Sequence, residues 1–160
     1  MQRTFSPEPL IPGDKVAVIA PSSPVNDADL QKITDSIKLL DLKPVIMDSC
    51  KMRHGYLSGS DVQRAEDFNE AFASKEIKGV FSMRGGYGAM RILPMIDFNT
   101  IKKHPKIFVG YSDITVLHTA LNQRCGFITF HGPMAAEDYT RIDRFKLSSF
   151  KKCIFHQKLT

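Results

Sequence analysis

The chain has 160 residues, of which 42% are hydrophobic and 24% are charged. This length supports one domain with a buried core and is too short for two domains of ordinary size. The net charge is +5, but residues 1–140 carry 16 basic and 16 acidic side chains, so the whole excess lies in residues 141–160. A balanced body with a basic tail argues against a nucleic-acid-binding protein.

Cellular location is indicated by three features of the sequence. The longest aliphatic run, Val16–Ala20, is far too short for a membrane-spanning helix, and the first residues lack the apolar segment of a signal peptide. Cys50, Cys125 and Cys153 are widely separated and form no C-x-x-C pair, which is typical of a reducing compartment. We therefore expect a cytoplasmic protein with no membrane partner.

Short apolar runs alternate with amphipathic stretches, a pattern that indicates βαβ units. It predicts an α/β fold with a mainly parallel sheet flanked by helices. Ser60 and Gln63 have the spacing of a capping box, Asn26 or Asp27 is expected to cap the first helix, and Gly126 is placed to end the last one. In chain order we predict a strand over Lys15–Ala20, a helix reaching Leu40, a strand over Pro44–Met47, a helix from Ser60 through Phe72, a strand over Gly79–Met83, a helix over Ala89–Leu93, a strand over Lys106–Val109, a helix over Asp113–Arg124 and a strand over Phe127–Phe130.

The turn after the fourth strand, residues 110–115, has the pattern of a nucleophile elbow. Ligands of parallel sheets bind at the carboxyl ends of the strands, where this turn lies. Gly110 would permit a sharp turn that displays the Ser112 hydroxyl, with the backbone N–H of Asp113 beside it to stabilise an oxyanion. Asp113 and Ile114 stand where the usual G-x-S-x-G motif ends in glycine. Spacing alone equally allows Ser112 or Asp113 to be only a helix cap.

The glycine-rich stretch Arg84–Gly88 follows the third strand and has three interpretations. It could hold a phosphate or nucleotide, although it lacks the spacing of the known phosphate-binding loops. It could supply the second half of an oxyanion hole that faces Ser112. It could also be an ordinary turn between a strand and a helix.

The histidines and acidic residues do not form a recognisable metal-binding pattern, and no cofactor is implied. His131 follows the fifth strand and is a candidate general base, but a His-Gly-Pro turn is often structural and a base needs a positioned partner. His118 lies in the helix after the elbow and is expected to be a packing or surface residue. His54 and His104 lie in loops without ligand spacing around them.

Several segments, in the same order along the chain, resemble the murein tetrapeptide LD-carboxypeptidases and the related microcin immunity proteins. The resemblance covers roughly residues 10–135. Its segments are residues 11–24 (IPGDKVAVIAPSSP), 84–89 (RGGYGA), 91–97 (RILPMID), 105–115 (PKIFVGYSDIT) with Leu117 and His118, and 129–134 (TFHGPM).

The resemblance implies a serine hydrolase of peptidoglycan recycling that cuts the bond between an L-configured centre and a terminal D-alanine. Ser112 matches the nucleophile, and the backbone N–H groups of Asp113 and Gly86 match the oxyanion hole. Arg84, Gly85 and Tyr87 are expected to contact a murein peptide substrate. The resemblance also implies a cytoplasmic homodimer.

Family members are about twice this length, and their catalytic Glu and His come from a C-terminal domain. The resemblance therefore implies an N-terminal nucleophile domain over residues 1–138 and the start of an interdomain linker over residues 139–160, without the second domain. A serine hydroxyl without an adjacent base is a weak nucleophile, so we expect this chain alone to be nearly inactive.

Two other functions remain open at this point. The immunity branch of the family hydrolyses acyl-sulfamate or phosphoramidate linkages of peptide-nucleotide antibiotics. The other alternative is not an enzyme: it is a nucleotide- or sugar-binding module that uses Gly85 and Gly86 to hold its ligand.

Overall fold

The computed structural model describes residues 4–26 and 29–155. Five parallel strands form one sheet in the order β2-β1-β3-β4-β5, which confirms the predicted α/β fold class. The strands are β1 (Lys15–Ile19), β2 (Lys43–Ile46), β3 (Ile77–Ser82), β4 (Ile107–Gly110) and β5 (Phe130–His131). The α-helices are α1 (Asp29–Lys38), α2 (Asp61–Ala73), α3 (Ala89–Ile92), α4 (Phe98–Lys103), α5 (Thr115–Cys125) and α6 (Arg144–Phe155).

The helices cover both faces of the sheet, and each face has its own apolar core. Helices α2 to α5 pack on one face, through residues such as Phe72 and Leu117. Helices α1 and α6 pack on the other face, through residues such as Ile37 and Ile154. Because the central strands are covered on both sides, β1 has an almost fully buried apolar sequence rather than an alternating one.

The strand order creates a crevice at one end of the sheet. The chain leaves β1 to form β2 on one side and later returns to form β3 on the other side of β1. At such a switch point the loops after the two strands diverge and leave room for a ligand. The loops after β1, β3 and β4 meet at this end, so the fold brings together the two segments that the sequence singles out.

Local signals in the sequence set several helix ends as predicted. Ser60 accepts a hydrogen bond from Gln63 N, and Gln63 Oε1 accepts one from Ser60 N, which completes the capping box of α2. Gly126 ends α5 with φ +80°. Helix α1 begins at Asp29, whose N–H donates to the backbone carbonyl of Asn26 at 2.9 Å. The other expected cap, Asp27, lies outside the described residues. Within the described residues, no helix combines the length and the apolar character that crossing a membrane requires.

Most ends of the predicted elements differ from the structure by one or two residues, and α4 and α6 were not predicted. Two of the differences have a clear local cause. The fifth strand was predicted over Phe127–Phe130, but β5 comprises only Phe130–His131, because β4 offers it only Val109 and Gly110 as partners. Phe127 instead forms an isolated parallel bridge with Phe5. The helix predicted from Asp113 begins two residues later as α5, because residues 112–114 first form a tight 3₁₀ turn.

Residues after 138 pack against the same sheet as the rest of the chain. Tyr139 is buried, and Phe150 and Ile154 of α6 lie in the core beside α1. Four of the six basic residues of this segment therefore lie on a helix with one buried side, while Arg141 precedes α6 and Lys158 lies outside the described residues. The division into a domain over residues 1–138 and a linker over residues 139–160 stays a prediction.

Candidate active site

Ser112 lies at a sharp turn between β4 and α5. Its φ is +63°, one of only two positive values among the non-glycine residues that the structure describes. A residue with a side chain disfavours this left-handed conformation, so the surrounding packing must hold it. Ser112 is exposed, while Ile114 two residues later is buried. The turn thus presents the serine hydroxyl to solvent at the end of the sheet.

Gly110 makes this turn possible through its lack of a side chain. A Cβ at this position would lie 2.6 Å from Ile114 Cγ2 and 3.1 Å from Ser82 Oγ. Neither neighbour has room to move, since Ile114 and Ser82 are both fully buried. The strand end and the turn can pack this closely only with glycine at position 110, as the sequence predicts.

The loop after β3 lies directly against Ser112. A Cβ on Gly85 would be 3.1 Å from Ser112 Cβ, 3.3 Å from Ser112 Oγ and 3.4 Å from the backbone nitrogen of Asp113. The next residue, Gly86, has φ +118°, and a Cβ there would lie 2.2 Å from Ser23 Oγ. The two glycines therefore let three loops approach one another around the serine.

The side chain of Asp113 ties these loops together. Its Oδ2 accepts a hydrogen bond from Ser22 Oγ at 2.6 Å and another from the backbone nitrogen of Ala89 at 2.9 Å. Ser22 lies in the loop after β1, and Ala89 begins α3 after the glycine loop. One carboxylate thus connects the carboxyl ends of β1, β3 and β4. From the sequence, Asp113 was expected to supply a backbone N–H or to cap a helix, and Ser22 was not singled out.

A buried arginine forms hydrogen bonds with the same loops. Arg64 of α2 is almost completely buried and donates hydrogen bonds to the carbonyl oxygens of Pro21 and Gly88, the latter at 3.0 Å. Asp61 pairs with Arg64, and it also accepts a two-point hydrogen bond from Arg91. Arg64 reaches these two loops from a helix in a different part of the sequence. No local sequence pattern marks such a contact, so it was not predicted.

Ser112 lines an open cleft of about 790 Å³. Gly85 and Gly86 lie in its wall, together with Arg84, which donates a hydrogen bond to Pro24 O at 3.2 Å. Tyr87 is not part of this lining. Its ring packs against Tyr56 with centroids 5.8 Å apart, and both rings are more than half exposed.

The histidines near the site make no hydrogen bond to Ser112 within the described residues. His118 is buried, and its Nε2–H donates to the carbonyl oxygen of Gly110 at 2.9 Å. Burial lowers the pKa of the His118 ring below its ordinary value. The His131 ring is exposed and lies 5.7 Å from the Tyr111 ring and 6.5 Å from the His118 ring. His118 is therefore a packing residue, as predicted, and in the part of the chain that the structure describes no carboxylate hydrogen-bonds to His131.

Tyr111 directly precedes Ser112 and lines the same cleft. Burial, with a further contribution from the nearby Glu137 carboxylate, raises the pKa of its hydroxyl. Among the residues that the structure describes, no three His, Cys, Asp or Glu side chains lie close enough together to hold a metal ion.

Similarity to known proteins identifies the family of this chain. Residues 16–132 match the model of the LD-carboxypeptidase N-terminal domain. The chain belongs to the LD-carboxypeptidase family. A probable murein peptide carboxypeptidase of Bacillus subtilis is 46% identical to this LD-carboxypeptidase domain over 134 residues, which are 84% of the chain and 42% of the relative.

Solved structures of the family share the fold. The muramoyltetrapeptide carboxypeptidase of Oxalobacter formigenes superimposes with a TM-score of 0.77 at 34% identity, covering 86% of this chain and 47% of the other. The microcin C7 self-immunity protein MccF superimposes with a TM-score of 0.87 at 27% identity, covering 96% of this chain and 48% of MccF. MccF structures include a complex with glutamyl sulfamoyl guanosine. This LD-carboxypeptidase domain spans about half the length of these relatives, or less.

Proposed function

We propose that this domain supplies the nucleophile of a serine carboxypeptidase and that Ser112 is that nucleophile. The observation that carries the proposal is the backbone of Ser112, which is held at φ +63° at the end of a parallel strand with its side chain exposed to the cleft. A strained turn of this kind is the usual way in which an α/β hydrolase presents a nucleophilic serine. A serine that served only as a helix cap would need no left-handed conformation.

We assign the oxyanion hole to the backbone N–H groups of Asp113 and Gly86. Two amide donors on different loops stabilise a tetrahedral intermediate if they are fixed before the reaction. The contact between Gly85 and Ser112 and the two hydrogen bonds to the Asp113 carboxylate are the interactions that would fix them. Each donor that is lost from such a site typically reduces the rate by about 10²–10³-fold.

The substrate we propose is a murein peptide, cut at the bond before its terminal D-alanine. The names of the Bacillus and Oxalobacter relatives support this class of substrate. Arg84 and Gly85, which lie in the cleft wall, would contact the peptide. Tyr87 would contact only a part of the substrate that extends beyond the cleft, toward Tyr56. The cellular role we propose is peptidoglycan recycling in the cytoplasm by a homodimer, as the resemblance to the family implies.

No base lies within hydrogen-bond distance of Ser112 in the part of the chain that the structure describes. We propose that the Glu and His of the triad belong to a further domain, as the resemblance implies. Without them the attack of Ser112 is slow, and only positioning and the oxyanion hole contribute to the rate. We therefore expect the 160-residue chain to release D-alanine slowly, at a rate that still depends on Ser112.

Covalent labelling tests the nucleophile. The chain is treated with a fluorophosphonate at mildly alkaline pH, and the labelled peptide is identified by mass spectrometry. We expect slow labelling at Ser112, because the oxyanion hole is present and the base is absent, and none at that position in the Ser112→Ala variant. Ser148 is the matched control, since it is also exposed but lies on α6 in the described part of the chain. Equal labelling of Ser148 and Ser112 would contradict the proposal.

The MccF-type reaction is the second candidate function. The high structural similarity to MccF and the nucleotide analogues bound by that protein favour it. Incubating excess chain with either a murein tetrapeptide or a glutamyl sulfamoyl nucleoside separates the two reactions by the product released. Nucleotide binding that survives Ser112→Ala, without release of either product, would instead indicate a non-catalytic module.

A further inference from the structure

We propose that Arg53 and Arg84 together form the subsite that binds the terminal carboxylate of the peptide substrate. This inference rests on the proposed carboxypeptidase function, because such an enzyme has to distinguish the last residue of a chain from an internal one. The terminal carboxylate is the chemical group that makes this distinction. A guanidinium pair is the side-chain arrangement best suited to a planar carboxylate.

The two arginines reach the same wall of the cleft from different loops. Arg84 lies two residues after the end of β3, and Arg53 lies two residues after the 3₁₀ turn Asp48–Lys51. Both line the cleft that contains Ser112. Arg84 Nη1 donates to Pro24 O at 3.2 Å, and Arg53 Nη2 donates to Val25 O at 3.0 Å. The guanidinium groups are therefore held against consecutive residues of one loop, on adjacent stretches of the wall.

Each guanidinium keeps donors that are free to bind a ligand. A guanidinium has five N–H groups, and one hydrogen bond to a backbone carbonyl leaves its positive charge without a partner. Both arginines are exposed. Within the residues that the structure describes, neither Arg53 nor Arg84 takes part in a salt bridge.

The acidic residues that line the cleft are engaged elsewhere. Asp29 pairs with Lys32 at 2.9 Å. Glu137 accepts a hydrogen bond from the backbone nitrogen of Met134 at 2.9 Å, and Asp138 accepts one from that of Thr140 at 3.0 Å. These hydrogen bonds do not cancel the negative charges, but the cleft is lined by four cationic and three acidic side chains, so its charges sum to +1. This small positive excess favours an anionic ligand.

The geometry of a peptide sets how far from Ser112 the carboxylate subsite can lie. In a terminal residue, the carboxylate carbon lies only three bonds from the scissile carbonyl carbon, which corresponds to about 4 Å. The scissile carbon itself must approach Ser112 Oγ to about 3 Å. Arg84 immediately precedes Gly85, which contacts Ser112. Its long side chain therefore starts next to the nucleophile and covers the range in which the terminal carboxylate lies.

Peptide binding tests the proposal. The Ser112→Ala chain is titrated by calorimetry with Nα,Nε-diacetyl-L-lysyl-D-alanine and with the same dipeptide as a C-terminal amide. We expect the free acid to bind at least about tenfold more tightly than the amide, as charge-assisted hydrogen bonds require. Arg84→Gln and Arg53→Gln should each remove most of this preference. Arg84→Lys should restore only part of it, because lysine keeps the charge but not the planar fork.

Arg141→Gln is the matched control, because Arg141 is another exposed cation of the same cleft. It should leave the preference for the acid unchanged. An equal loss in this control, an equal affinity for acid and amide, or no binding of either peptide would overturn the inference. Failure of the proposed function gives a different result, since Ser112 would then remain unlabelled by the fluorophosphonate while the preference for the acid persists.

Discussion

The carboxylate of Asp113 accepts a hydrogen bond from the hydroxyl of Ser22 at 2.6 Å, although 90 residues separate the two in the sequence. The same oxygen accepts the backbone N–H of Ala89. This carboxylate joins the turn at Ser112 to the loops that follow β1 and β3. The cleft therefore depends on a side chain that faces away from its solvent-exposed wall, toward the buried Ser22.

Replacing Asp113 by alanine should destabilise the domain by about 2–3 kcal/mol. The substitution leaves Ser22 Oγ and Ala89 N without their acceptor, and hydrogen bonds to a charged group are worth about 1.5–3 kcal/mol each. The free energy of unfolding in urea measures the loss. Ser22→Ala is the matched control and should cost less, because the carboxylate keeps its bond to Ala89. An Asp113→Ala variant as stable as the wild type would show that this oxygen does not hold the loops together.

The left-handed backbone of Ser112 predicts an unusual order of stability. Ser112→Gly should be more stable than Ser112→Ala by about 1 kcal/mol, because glycine adopts a positive φ without strain. Thermal or urea unfolding of both variants measures the difference. Thr115→Gly should show the opposite effect relative to Thr115→Ala, because Thr115 begins α5 with an ordinary helical φ of −56°. The same order at both positions would mean that Ser112 is not strained.

Gly86→Ala should slow fluorophosphonate labelling of Ser112 by up to about 10²–10³-fold, the effect of losing one oxyanion donor. The new methyl group would lie 2.2 Å from Ser23 Oγ and 2.8 Å from Ser23 Cβ, so the loop has to shift. Adding Ser23→Gly removes both atoms and should restore part of the rate, although the strain at φ +118° remains. Gly13→Ala tests the strain alone, since Gly13 also has a positive φ but open space around it. A rate equal to that of the wild type in Gly86→Ala would exclude this loop from the oxyanion hole.

The Asp61 carboxylate should make stability depend on pH in the acid range. Hydrogen bonds from Arg91, and then the charges of Arg91 and Arg64, lower its pKa below the ordinary value of 3.8. The folded state therefore binds fewer protons than the unfolded state. The contribution is fully present above about pH 4–5 and is lost as the pH falls through the folded-state pKa. The difference in unfolding free energy between wild type and Asp61→Asn should shrink over this range. A difference that is constant with pH would contradict the pairing.

Much of the fold could be predicted because its signals are local. The buried run of β1, the capping box at Ser60 and Gln63 and the terminal Gly126 all act within a few residues, so the pattern of the sequence carries them. The end of the sheet could be predicted as the site for the same reason, since strand-to-helix turns rich in glycine are visible in the sequence.

The interactions that hold the site together could not be predicted in this way. Ser22 and Asp113 meet only because β1 and β4 lie on either side of β3 in the sheet, and Arg64 reaches Pro21 and Gly88 only after α2 has packed. The length of β5 depends on how much of β4 is left to pair with it. Each of these contacts depends on tertiary packing rather than on propensity.

The first and last described segments meet on one face of the sheet. Leu10 N donates a hydrogen bond to Ile154 O at 2.9 Å, and both side chains are buried in the same core. During synthesis on the ribosome, the apolar surface around Leu10 stays uncovered until α6 has emerged. Native contacts between such distant residues slow folding and prolong the exposure of aggregation-prone apolar surface. A nascent chain of this protein is therefore expected to need chaperone protection until its sixth helix is available.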